Sequence, residues 1–265
     1  MLTAVKASFA AVYNNFTALC YIAIPYMILT TLITIISGGY ETLIPTVREN
    51  SLEENAAIIS KLFPFLLLQF FYSAKALRAS MRLFCDGPYS VSEYNLLRWN
   101  KAELSFVLTT LLYTVVAGAV CLALSFGIPA MFTFIAFLPA VIFPSSATAL
   151  LIASIAPAVS IGIAVILCVI FCLRAVFIFP AKAMGQPLKI SSSIKFSKGS
   201  MRTLLATLAL AFIPFAVVII LAGMIPPSLA VYTKLLVGFL WGMVCVAIIC
   251  NHYNKLMDEL MSRYY

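Results

Sequence analysis

Few side chains in this 265-residue chain have the type and spacing that chemistry needs. His252, in "CNHYNK", is the only histidine and reads as a residue at the end of an apolar span, not as a general base. Ser145, Ser146 and Ser154 have no acid and base arranged beside them to activate a hydroxyl. Gly199 in "SKGS" lacks the spacing of a phosphate-binding P-loop. Of the seven cysteines, Cys20, Cys121, Cys168, Cys172, Cys245 and Cys250 lie within apolar runs, where cysteine acts as a small hydrophobe. Cys168 and Cys172 share a helix face, but a single histidine cannot complete a zinc site with them. Cys85 sits among basic residues and is at most a reactive thiol. These residues predict no catalytic constellation, no disulfide framework, no metal and no cofactor.

Charge is the remaining chemical signal, and it is unevenly placed. The stretch "LCVIFCLRAVFIFPAKAMGQPLKISSSIKFSKGSMR" (167–202) is apolar around one Arg174, breaks at Pro180, and then carries five bases and no acid. No Asp or Glu occurs between Glu103 and Asp258, so Arg174 has no carboxylate partner within the apolar spans. Its long stem lets it snorkel to headgroups from six residues before Pro180. Lys75, Arg78, Arg82, Arg174, Lys195, Lys198 and Arg202 are the candidate residues for binding anionic headgroups. At about 100° per residue, a helix over 187–202 would put Ile190, Ile194 and Met201 in one sector and Lys195, Lys198 and Arg202 in the next. That is the pattern of a helix lying on a membrane surface.

The elements that hold these residues follow from composition. The chain is 63% hydrophobic and 10% charged, with mean hydropathy +1.08, whereas a soluble domain carries roughly 25% charged residues. Lipid is the solvent that accommodates such a chain, and the runs are long enough for helices across a core about 30 Å thick. They do not alternate as strands of a membrane barrel would. The net charge of +8 fits the positive-inside rule and not nucleic-acid binding, since no basic soluble domain is present. The first apolar run is too long for a cleavable signal and reads as a retained span.

The fold class is all-α: a polytopic membrane protein of about six transmembrane helices in one integral domain, 1–265. The expected spans are 16–37, 57–79, 104–126, 157–179, 202–223 and 229–250. Between spans three and four, Pro129, Pro139 and Pro144 divide 127–156 into pieces too short to cross, so this becomes a re-entrant or surface segment on the outer side. The map places fourteen of the seventeen Lys and Arg residues on the cytoplasmic side, together with both termini. Gly238 and Gly242 form a GxxxG in span six, suited to packing within the chain or to a homo- or hetero-oligomer.

An Ile-Pro-aromatic step recurs mid-span at Ile24–Tyr26 and Ile213–Phe215. "GPYSVSEYNLLRWNKAEL" leads into span three as "GQPLKISSSIKFSKGSMRTLL" leads into span five. The pattern reads as three copies of interfacial amphipathic helix plus hairpin, over 1–82, 83–182 and 183–265. "FIFPAKAMGQPLKISSSIKFSKGSMRTLL" and the opening "MLTAVKASFAAVYNNFTALCYIAI" resemble the YciC-like bacterial inner-membrane proteins. They are also similar to the membrane domain found beside glycerophosphodiester phosphodiesterases, whose catalytic domain has no counterpart here. The resemblance spans most of the chain, and 127–156 fits it poorly. It implies about six spans, a bacterial inner-membrane location and no established activity.

The expected function is a non-catalytic integral membrane protein that binds anionic lipid headgroups on the cytoplasmic side or organises partners. A transporter or channel component is the alternative, supported by the repeat and by mid-span Pro25, Pro64 and Pro214. The lack of acidic coupling residues within the spans stands against it. An intramembrane enzyme ranks last, for want of an acid–base pair.

Overall fold

A computed structural model of the chain describes residues 1–36, 52–91, 98–142, 147–186, 190–224 and 227–264. The expected outer loop with Glu41, Arg48 and Glu49 lies outside the described residues, as do Pro144, Ser145, Ser146, Pro187 and the centre of the 223–228 turn. Among the described residues there is no strand.

The elements run α1 (Leu2–Asn14), α2 (Phe16–Ile36), α3 (Leu52–Asp86), a 3-10 turn (Pro88–Val91), α4 (Lys101–Ile142), α5 (Ala147–Ala175), α6 (Ile178–Ala183), α7 (Ile190–Phe196), α8 (Met201–Ala222) and α9 (Pro227–Tyr264). Five stretches are long and apolar enough to cross a membrane: Phe16–Ile33, Lys101–Phe137, Ser154–Ala183, Met201–Ala222 and Leu236–Ser262. Each overlaps an expected span. The sixth, expected in α3 at 57–79, does not meet that standard among the described residues. Gln69 and Lys75 lower its hydropathy, and both find partners inside the protein.

Two expectations about local structure are corrected. Pro129 and Pro139 do not divide the chain into short pieces: α4 runs unbroken from Lys101 to Ile142 through both. A proline costs one helical bond, but in an apolar solvent a helix is the only local way to satisfy the remaining backbone groups. At 42 residues and 1.5 Å per residue, α4 is about 63 Å long, twice a hydrocarbon core. Nor is 187–202 one helix. α7 ends at Phe196, a turn covers 197–200, and Met201 and Arg202 already belong to α8. Serines favour bonds to local carbonyls over helix continuation; Ser197 bonds the Ile194 carbonyl at 3.1 Å, and Gly199 follows two residues later.

The Gly/Pro turns form as the sequence requires. Gly87 (φ 88°) and Gly185 (φ 77°) occupy the left-handed region that stops a helix at little cost to glycine. Gly87 N–H bonds the Leu83 carbonyl at 3.1 Å, and Gln186 N–H bonds that of Ala181 at 2.8 Å.

The helices pack as two compact units. The first comprises 1–107, 177–188 and 199–265; the second comprises 108–176 and 189–198. In the first, α3 packs on α2, α6 and α9, while α1 packs on α8 and α9. Val5, Ser8 and Val12 form the buried face of α1, at the spacing of one helix stripe. Phe9 stacks on Phe215 at 5.9 Å, and Trp241 meets Phe212 and Phe215 at 5.2 and 5.4 Å. In the second unit, α7 packs on the end of α5.

Candidate functional site

Polar residues of the first unit gather where α3 ends and α4 begins. Lys75 is fully buried, with 0% of its side chain exposed. An ammonium taken out of water requires close partners, and Lys75 has three. Its Nζ donates to the Arg98 carbonyl at 2.6 Å, lies 3.5 Å from Glu103 Oε2, and sits 4.6 Å over the Trp99 ring. Trp99 is fixed in turn by edge contacts with Phe71 and Tyr72, one turn before Lys75 on α3.

Glu103 has a second task. Asn100 Oδ1 accepts the Glu103 N–H at 2.8 Å, and Glu103 Oε2 accepts the Asn100 N–H at 3.0 Å. This reciprocal capping box starts α4. One carboxylate therefore nucleates α4 and ties its first turn to α3. The residues were in view in the sequence, but Glu103 was not paired with Lys75, since 28 residues with no periodic pattern separate them.

Lys75 is thus withdrawn from the headgroup-binding set: its charge is spent inside the protein. Arg78 lies one turn further on α3, also buried, and among the described residues its Nε has no hydrogen-bond partner. Arg82 is half-exposed. Lys195, Lys198 and Arg202 are exposed, the first two in the second unit and Arg202 in the first. Arg174 is half-buried, its Nε is unpartnered among the described residues, and its carbonyl accepts the buried Ser193 hydroxyl at 3.1 Å.

A second polar group on α9 was read from the sequence only as the end of a span. Successive residues of "CNHYN" fan out at helical spacing to different neighbours. Cys250 Sγ donates to the Met81 carbonyl of α3 at 3.7 Å, and Asn254 to that of Cys85 at 3.4 Å. Asn251 donates to Ser8 of α1 at 3.0 Å. The Tyr253 hydroxyl bonds Gln186 Oε1, after α6. His252 is buried, and among the described residues its Nε2 has no hydrogen-bond partner. Five adjacent polar residues at the end of an apolar run are the signal that could have revealed this hub.

Among the described residues, no group of three or more His, Cys, Asp or Glu is placed to hold a metal ion. The Ser154 hydroxyl bonds its own helix at the Leu151 carbonyl, 2.8 Å away. A Cβ added at Gly238 or Gly242 would meet no atom within 4 Å, so neither glycine serves close packing within the described part of the chain.

The helices and their apolar stretches fit a multi-pass membrane protein. No protein-family model matches the chain, and neither a curated protein nor a solved structure does.

Proposed function

We propose that this chain is a non-catalytic integral protein of a bacterial inner membrane whose basic cytoplasmic end binds anionic lipid headgroups or organises partners. The observation that carries the reading is the exposure of the neighbouring bases Lys195 and Lys198 in the second unit and, in the first unit, of Arg202. All three belong to a stretch of sequence with no acidic residue between Glu103 and Asp258 to compete for them. Near an anionic leaflet each base contributes about 1 kcal/mol. Arg82 and Arg174 extend the set; Lys75 does not.

Six crossings with both termini cytoplasmic follow from the same charge bias, with α3 as the crossing that hides its polar groups against neighbouring helices. The similarity to YciC-like proteins and the three-copy pattern agree with this location on sequence grounds. The open Gly238/Gly242 face suits a homo- or hetero-oligomer.

Mass spectrometry of lipids co-purified with the wild type and with Lys195→Gln/Lys198→Gln/Arg202→Gln tests the proposal. Anionic lipids should be enriched on the wild type and depleted on the triple variant, with salt reducing the difference. Equal lipid content overturns it. The transporter reading is favoured by Pro25, Pro64 and Pro214 lying inside α2, α3 and α8. Substrate-dependent flux in proteoliposomes would establish that reading.

A further inference from the structure

Two of the free cysteines meet across the α3–α9 contact. Cys250 is fully buried, while Cys85, one residue before the end of α3, is half-buried. Two hydrogen bonds fix the register of the helices around them. Cys250 Sγ reaches the Met81 carbonyl, one turn before Cys85, and Asn254, one turn after Cys250, reaches the Cys85 carbonyl. The Met81 carbonyl is the helical partner of the Cys85 N–H, so the Cys250 thiol lies against the same turn of α3 that carries Cys85. One and a half turns before Cys85, the Ser80 hydroxyl donates to Met243 Sδ of α9 at 3.7 Å, a further contact between the same two helices.

We propose that Cys85 and Cys250 form a thiol–disulfide switch, oxidised reversibly by small disulfides to a bond that staples α3 to α9. Exposure sets the order of events. Cys85, which solvent reaches, loses its proton to water and attacks one sulfur of the oxidant. The oxidant's S–S bond breaks, and its other sulfur leaves as a thiolate with the electron pair. Cys250 then gives up its proton, attacks the Cys85 sulfur and expels the second thiolate. The protein loses two protons and two electrons, and the oxidant is reduced to two thiols. In the proposed orientation this end faces a reducing compartment, where such pairs are transient and redox-sensing. The chemistry needs no bound lipid and stands apart from the headgroup reading.

The α4–α5 pair provides an internal control. Cys168 Sγ lies 3.8 Å from the Cys121 carbonyl, in the middle of two apolar helices that a charged oxidant does not enter. Full-length protein in lipid nanodiscs is titrated with oxidised glutathione; free thiols are counted by maleimide labelling and linked peptides are mapped. The wild type should lose two of its seven free thiols and yield one linked pair joining residues 85 and 250, restored by dithiothreitol. Cys250→Ser should stop at a glutathione adduct on Cys85, and Cys121→Ser/Cys168→Ser should behave as the wild type. If a variant does not fold, the wild-type peptide map decides alone. A wild type that keeps all its thiols, stops at the Cys85 adduct or links other cysteines overturns the proposal.

Discussion

Lys75 and Glu103 hold opposite charges out of water, so removing one partner should cost more than removing both. Glu103→Gln keeps the capping box, because Gln serves at the same position, but leaves the buried ammonium without its counter-ion. A loss of about 3–5 kcal/mol is expected. Glu103→Ala also removes the cap and should lose about 1 kcal/mol more. Lys75→Met/Glu103→Gln should recover most of the charge penalty. Thermal unfolding in one detergent of the wild type, Glu103→Gln, Lys75→Met and the double variant measures this cycle, and strictly additive losses would show that the pair is uncoupled. Arg174 is governed by a different environment. With its stem near the membrane boundary, Arg174→Lys should insert as the wild type does, whereas Arg174→Glu, with shorter reach and the wrong sign, should insert poorly. The membrane-integrated fraction reads the difference, and equal insertion of Arg174→Glu removes the snorkelling role.

At the scale of elements, α7 is held by one bond that its own seven residues do not explain. The Ser193 hydroxyl leaves its helix to reach the Arg174 carbonyl at the end of α5. Ser193→Ala should cost about 1 kcal/mol and speed hydrogen exchange across 190–196, while Ser192→Ala, at an exposed position, should change neither. Equal effects of the two substitutions would mean that the bond does not anchor α7. The pattern of isoleucines and lysines over 187–202 suited a longer surface helix, yet the segment divides between two elements. Periodicity along 16 residues does not register that Ser193 and Ser197 are buried and bonded to carbonyls.

For the whole molecule, the proposed threading makes a prediction at each turn. Reporter fusions at residues 45, 90, 140, 190 and 226 should read outside, inside, outside, inside and outside. Position 140 is the most informative, because it lies near the end of α4, whose 42 residues exceed one crossing of ordinary tilt. A cytoplasmic signal there would mean that α4 and α5 thread differently and would remove the six-crossing scheme. Position 90, just after α3, tests the crossing whose hydropathy is weakest. An outside signal there would leave α3 on one side of the membrane.

The sequence by itself determined what depends on local order. Long charge-poor runs demand lipid and helices, and five of those helices appear where the runs predict them. The glycines at 87 and 185 stop helices because they alone take a left-handed backbone cheaply. Tertiary structure decided whatever depends on a distant partner. Lys75 reads as an interfacial base until α4 returns Glu103 and Trp99 to it. Ser8 and Asn251 meet across 243 residues, and Cys250 is a small hydrophobe until α3 sets the Met81 carbonyl, one turn before Cys85, against its thiol. The prolines at 129 and 139 read as breaks because propensity reflects the cost of a missing N–H, whereas the folded helix keeps all its other bonds. Local pattern carries the cost of each residue in isolation; only packing supplies the group that offsets it.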